Sequence, residues 1–287
     1  MFPADASAPR TRRDRCPGAL RPWTAEDGLL VRLRLIGGRL PARSLSAVAA
    51  VADDHGSGRV HVTSRANIQV RALPGRDGRL DPRVLGALET TGLLPSPSHE
   101  LVRNVMASPL TGLSGGRADL RPVAAALDTA LCSAPHRAAL PGRFLFVLDD
   151  GRGDLVDRPC DLGLTALDQD TAQLRIGDGH GPTVRLEEAA DTLVRLADLF
   201  LEQRGDGPSA PWHITELPSP LCAPHRPDPR LPSPAPPLPY GPLPGGGRHV
   251  PVPEEGLDRS AADTLAAEAG ELVVTPWRGI IVPEEDR

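Results

Sequence analysis

Apolar and polar residues alternate through GLLVRLRLIGG, starting at Gly28, and Gly37 and Gly38 close the run: the period of a half-buried strand. PARSLSAVAAVADDHG then shifts to helical spacing at Leu45, Val48 and Ala52, with Pro41 near its start and Gly56 beyond its end. RVHVTSRANIQVRAL returns to alternation, with Val60 and Val62 before a polar break and Ile68 and Val70 after it. The break, Ser64 to Asn67, has no glycine and carries a guanidinium and an amide, so it is either a solvated turn or the rim of a site. DPRVLGALETTGLL reads as a second helix, capped by Asp81 and stopped by Gly92. Strand, helix, hairpin and helix predict an α+β unit with helices on one face of a mainly antiparallel sheet.

Beyond it, LVRNVMASPLTG reads as a polar loop, followed by a helix from about Asp119 to Ser133 and a strand in GRFLFVLDDG. Short strands are expected in CDLGLTAL, AQLRIGD and PTVRL. LEEAADTLVRLADLFLEQR is the clearest helix, with Leu186, Ala190, Leu193, Ala197 and Phe200 on one face. Between Pro208 and Pro244 stand 14 prolines in 37 residues, too many for a core element, so an extended linker or surface wrap is expected, with Trp212 and His213 as candidate anchors. Order returns with a strand in RHVPVP, a helix in LDRSAADTLAAEAG and a second strand, corner and strand in ELVVTPWRGIIV. The expected divisions are a disordered tail over 1–20, a first unit over 21–94, a central α/β region over 95–205, the proline-rich linker over 206–247 and a second unit over 248–287.

Composition narrows the chemistry. The chain holds no lysine, so all 32 basic residues are arginine, which removes Schiff-base and lysine acid/base chemistry. A net charge of -5 argues against general nucleic-acid binding. No apolar run reaches the roughly 18 residues a membrane span needs, and the start lacks a signal-peptide core, so a cytoplasmic location is the expectation. Cys16, Cys132, Cys160 and Cys222 lie too far apart for zinc or iron–sulfur spacing and are expected as separate thiols. DDGRGDLVD at Asp149 fails the calcium-loop pattern and reads as a solvated turn; the eight scattered histidines form no metal motif, with His61 notable only for its place beside the first corner.

HVTSRANIQV and VVTPWRGIIV share Val-Thr, a four-residue corner and an apolar strand, each preceded by a strand and a helix. The chain therefore carries an internal duplication of about 45 residues, which would bring two corner arginines toward one cleft. These corners, with VRNVMASPLTG between them, resemble the sulfite and nitrite reductase superfamily. RPWTAEDGLLVRLRLIGGRLPARSL, LPGRFLFVLDDGRGDL and the absence of lysine resemble its precorrin-3B synthase branch. The resemblance covers roughly Arg21 to Val282. It implies an α+β fold of duplicated ferredoxin-like half-domains around a central α/β region.

It also implies a flat tetrapyrrole ligand, siroheme or a precorrin, edged with carboxylates that arginine binds bidentately. By this resemblance Arg65, Asn67, Gln69, Arg103, Asn104, Arg143 and Arg278 are the binding residues, and no catalytic residue is assigned. The implied activity is oxygen-dependent hydroxylation of precorrin-3A. The alternatives are a siroheme sulfite or nitrite reductase and a catalytically incomplete tetrapyrrole-binding fragment. The reductases carry a second lysine two positions after the residue matching Arg143, where this chain has Leu145. Family members also carry CxxxxxC then CxxxC after the second corner. Nothing of that motif is found in the five residues after Val282, so the chain is expected to be truncated before it and to ligate no [4Fe-4S] cluster. The cysteines and electron entry would then come from a second chain and an unidentified donor.

Overall fold

The computed structural model describes residue 14 and residues 16–284. In chain order the elements are β1 (Trp23–Ala25), β2 (Gly28–Leu33), β3 (Arg39–Pro41), α1 (Ala42–His55), β4 (Val60–Val62), β5 (Ile68–Leu73), β6 (Gly75–Arg76), β7 (Arg79–Leu80), α2 (Pro82–Thr90) and β8 (Val105–Ala107). There follow α3 (Arg121–Cys132), β9 (Phe146–Asp149), β10 (Leu162–Ala166), β11 (Thr171–Ile176), β12 (Gly179–Arg185), α4 (Leu186–Arg204), β13 (Gly241–Pro242), β14 (Arg248–Pro251), α5 (Arg259–Ala266), β15 (Glu271–Val274) and β16 (Gly279–Val282).

Three larger sheets result. The first runs β1-β2-β5-β4, the central one β12-β11-β10-β9-β8, and the third β13-β14-β16-β15-β3. The central sheet is mixed: β8, β9 and β10 are parallel, while β11 and β12 return antiparallel. Helices α3 and α4 pack on its one face, where Leu127, Leu164, Leu193 and a triad of phenylalanines are buried. Phe144 lies 4.8 Å from Phe200 and 5.3 Å from Phe146, tilted in both pairs, a geometry worth about 1 kcal/mol per pair beyond burial.

The other two sheets exchange strands. In each repeat, the segment between the first strand and the helix leaves its own sheet and pairs with the other repeat. β3 pairs with β15, Leu40 opposite Leu272, while Val60 and Leu257 exchange backbone hydrogen bonds of 2.8 and 2.9 Å. Helices α1 and α5 pack under both sheets, so Leu45, Val48, Ile68, Ala262, Leu272 and Ile280 share one core. The duplication thus closes into a single body in which neither copy completes its core alone.

Two segments differ from the sequence reading. VRNVMAS, read as loop, contains β8, whose three residues are all buried. Residues 1–13 and 15 of the expected tail lie outside the described residues, but Pro17, Gly18 and Ala19 are buried, and the backbone N–H groups of Ala19 and Leu20 donate to the Glu100 carboxylate at 2.6 and 2.8 Å. The proline-rich stretch wraps the surface, held where His213 Nδ1 meets Asp161 at 3.2 Å and Ile214 N–H donates to the same carboxylate at 2.9 Å. Among the described residues, no helix is long and apolar enough to cross a membrane.

Candidate functional site

The two corners have the same backbone. In the first, Thr63 N–H donates to the Asn67 carbonyl at 2.8 Å and Asn67 N–H to the Thr63 hydroxyl at 3.2 Å; in the second, Thr275 and Gly279 make the same pair at 2.9 and 3.2 Å. Each corner places its third residue in the left-handed region, Ala66 at φ 54 and Arg278 at φ 59. This match sets Arg65 opposite Trp277 and Ala66 opposite Arg278, so the two arginines are one position out of register. They do not meet as symmetric copies. Arg65 Nη1 reaches the Arg143 carbonyl at 3.0 Å in the central region, while Arg278 lines a recess.

That recess, about 280 Å³, is walled by Arg32, His61, Gln69, Glu254 and Arg278, with the hydroxyl-bearing Thr63 and Ser64 at its rim. Sheet register builds it. Arg32 on β2 and His61 on β4 both face Gln69 on β5, on the side opposite the core residues Val31, Leu33, Ile68 and Val70. Arg32 donates to Gln69 Oε1 at 3.4 Å, yet its Nε is buried with no partner. Burial, then the neighbouring Arg65 charge, depresses the Arg32 pKa, and burial followed by Arg71 depresses that of His61. A buried guanidinium N–H without an acceptor costs about 1–3 kcal/mol, which an incoming anion would offset.

Arg34, just past the end of β2, is only 4% exposed. Its Nε donates to Asn104 Oδ1 at 3.0 Å and its Nη1 to the Pro17 carbonyl at 3.2 Å, and burial pulls its pKa down to about 10. Among the described residues, none of Arg32, Arg34, Arg65 and Arg278 has a carboxylate at ion-pair distance. Arg143 stacks over Trp212, 4.8 Å from the ring centre.

Several expected binding residues are held by the protein itself. Asn67 is buried and its Oδ1 accepts from Leu35 N–H at 2.8 Å, clamping the end of β2. Asn104 spends its amide on Arg34, on the Leu101 carbonyl and on the Gly142 carbonyl at 2.6 Å. Arg103 forms a two-pronged pair with Asp128 on α3, at 2.6 and 2.8 Å. Of the remaining expected residues, Gln69 and Arg278 line the recess, Arg65 donates to the Arg143 carbonyl, and Arg143 lies over Trp212 and 3.7 Å from Asp14. The sequence reading overlooked Arg32 and Arg34, although VRLRL placed both on the polar side of the strand.

The DDGRGD turn is a correction: Asp149 and Asp150 are fully buried. The Asp149 carboxylate accepts the N–H groups of Gly151, Gly153 and Leu155 at 2.8–3.0 Å, and Arg152 pairs with Asp150. Asp154 lies against both carboxylates. Burial, then their charges, opposed by the Ser108 hydroxyl and Arg152, push it up to about 7 from the ordinary 3.8. The folded protein therefore binds this proton more tightly than the unfolded chain, a contribution fully present below about pH 4 and lost as pH rises toward 7, at up to about 1.4 kcal/mol per pH unit. Asp154→Asn is expected to flatten that slope and to raise the urea midpoint at pH 8. An unchanged midpoint across pH 5–8 would refute the assignment.

All four cysteines are free thiols, and among the described residues none joins a group of potential metal ligands. The donors gathered around the corners are guanidinium and amide groups. They fit a carboxylate-edged ligand and not an iron–sulfur cluster.

Residues 24–77, which include the first corner and the recess strands, match the nitrite/sulfite reductase ferredoxin-like half domain. The whole fold matches the structure of the NirA protein of Mycobacterium tuberculosis, with a TM-score of 0.67 at 18% identity, over 92% of this chain and 57% of that one. The superfamily resemblance carried by the corners is thus borne out: the chain is a duplicated α+β protein with the NirA fold and a half domain of that class. Within the class, it is 30% identical over 141 residues to a precorrin-3B synthase of Sinorhizobium sp, an alignment spanning 49% of this chain and 29% of the relative. The chain spans less than two thirds of either protein's length.

Proposed function

We propose that the chain binds a polycarboxylated tetrapyrrole by its edge, as the binding part of a precorrin-3B synthase-like protein. The observation that carries this reading is the buried, partnerless Nε of Arg32 in a recess shared with Gln69 and Arg278. At about 280 Å³ the recess suits an acetate or propionate arm and a few waters, while the macrocycle itself would lie outside it. Arg278 and Arg32 would clamp that arm, Gln69 would fix its orientation, and Arg65 would meet a second arm on the Arg143 side. Oxidation of the ring would be supplied by a bound iron group. This chain's residues bind and orient, and cluster ligands and electron entry would come from outside the described residues.

The reductase alternative is less well supported. By the resemblance it needs a second cation two positions after Arg143, and Leu145 there is buried against Met106, Val147 and Leu155. Titration of the purified chain with uroporphyrin, followed by absorbance, is expected to show saturable binding near or below about 1 μM, roughly 8 kcal/mol. The absence of saturation, or binding indifferent to Arg32→Met, would overturn the reading.

A further inference from the structure

Counterpart positions in the two repeats differ in character. Matching Thr63 to Thr275 and Asn67 to Gly279 sets Arg32, Gln69 and His61, a row across β2, β5 and β4, in the places of His249, Ile281 and Val273, a row across β14, β16 and β15. The second row is packed shut. Val273 and Ile281 are buried with Leu110 and Leu243, and Leu238 packs against them. Both ring nitrogens of His249 are engaged, Nδ1 with the Pro239 carbonyl at 3.1 Å and Nε2 with the Thr275 hydroxyl at 3.0 Å. The first row is polar and lines the recess of about 280 Å³, where Arg32 Nε has no partner. The same corner and the same strand pairing thus close over a largely apolar row, so the fold does not require Arg32, Gln69 and His61 to stand open.

We infer that His61 takes up one proton from solvent when a ligand carboxylate enters the recess, so that the arm is held by the Arg32 guanidinium, the Gln69 amide and a newly formed imidazolium. This rests on the proposed tetrapyrrole reading and deepens it. The ring is seated by close packing, since a Cβ on Gly256, which stands at φ 86, would lie 3.1 Å from His61 Nδ1. The charges that face it are mostly positive. Burial first, then Arg71 on β5 and Arg59 ahead of β4, hold the imidazole below its usual pKa, against the Glu254 backbone and the Asp27 charge. Arg32 and Arg278 share the recess with the ring, and Glu254 brings the one carboxylate among the residues that line it. His61 is therefore neutral at pH 7 while the recess is empty. An anion at contact reverses the balance, because an opposite charge nearby favours the imidazolium. Proton uptake and affinity are linked: binding is flat above the raised pKa of the complex, strengthens by up to about tenfold per pH unit below it, and levels off again below the pKa of the free protein.

The test titrates the full chain and His61→Gln, which keeps a hydrogen-bonding group but cannot take the proton, with uroporphyrin from about pH 6 to about pH 8.5. The affinity of the unmodified chain is expected to fall roughly tenfold between about pH 6 and about pH 8, and that of His61→Gln to change by less than about twofold. The His61 ring signal in carbon–proton NMR spectra, identified by its loss in the variant, should titrate at higher pH in the complex than in the free protein. Calorimetry of the unmodified chain in two buffers of unlike ionisation enthalpy needs no variant, and should count roughly half to one proton taken up per ligand at about pH 7. A weaker His61→Gln with an unchanged pH profile would make His61 a structural residue and overturn proton uptake. Saturable binding without proton uptake, or a His61 signal that titrates at the same pH with and without uroporphyrin, would also overturn it while leaving the arginine recess standing. Absence of saturable binding by either protein would overturn the tetrapyrrole reading, and the role of His61 with it.

Discussion

Arg65→Ala and Arg278→Ala are each expected to weaken uroporphyrin binding by roughly 10- to 100-fold, and the double variant by roughly 100- to 10,000-fold. Each guanidinium would lose one charge-assisted contact in a partly shielded setting, worth about 1.5–3 kcal/mol. The losses should add because Arg65 reaches the Arg143 carbonyl while Arg278 lines the recess, so the two side chains make separate contacts. Arg71→Ala is the control, since that arginine is exposed and paired with Asp27, and its affinity should be unchanged. Arg278→Gly separates binding from folding more sharply. Arg278 sits at φ 59, where a Cβ costs about 1 kcal/mol. Glycine there should raise the denaturation midpoint while lowering affinity as much as alanine does. A ligand-binding loss that tracked loss of stability across these variants would place the corner arginines in the fold and not in a site.

How much of this was legible from the residues alone differs by element. Helices α1 and α4 follow from apolar spacing, because their buried faces repeat locally and need no distant partner to be recognised. The corners were legible through repetition, since two copies of Val-Thr and a polar break rarely arise twice by turn chemistry alone. β3 and β8 were not. Each is three residues long, and its pairing lies far along the chain: Arg39 pairs with Val273, and Val105 with Phe146. No local period marks a strand that short.

The site reading differs from the structure in register. The aligned corners suggested that Arg65 and Arg278 were equivalent, which the turn geometry shows they are not. Arg32 and Arg34 were hidden because alternation through VRLRL marks them as outer-face residues, and an outer face reads as solvent until something covers it. Here the second repeat covers one end at Arg278, and Pro17 covers the other at Arg34. The acidic turn failed for a related reason. DDGRGD has the composition of a solvated loop, yet Asp149 turns inward to satisfy three backbone N–H groups that would otherwise be buried without partners.

Arg103→Ala is expected to cost about 3 kcal/mol of stability while leaving the affinity of the folded protein for uroporphyrin within about threefold. The superfamily resemblance assigns Arg103 to ligand or substrate, but both arms of its guanidinium are engaged by Asp128, and its side chain is 8% exposed. Breaking a buried pair by removing one partner leaves the other charge uncompensated, at about 3–5 kcal/mol; Asp128, 23% exposed, keeps some access to water, which favours the lower end. The partner variant discriminates further. Asp128→Asn strands the more deeply buried charge, so it should destabilise at least as much as Arg103→Ala, and Arg103→Met with Asp128→Leu should recover part of the loss. Urea denaturation of the three variants and porphyrin titration of each under folding conditions decide the matter. A midpoint unchanged by Arg103→Ala, with affinity falling as far as in Arg65→Ala, would mean that Arg103 leaves Asp128 for the ligand and that this pair is a resting partner. Loss of stability with affinity retained makes it the tie that fixes the start of β8 to α3, which in turn sets where Asn104 holds Arg34 and Gly142.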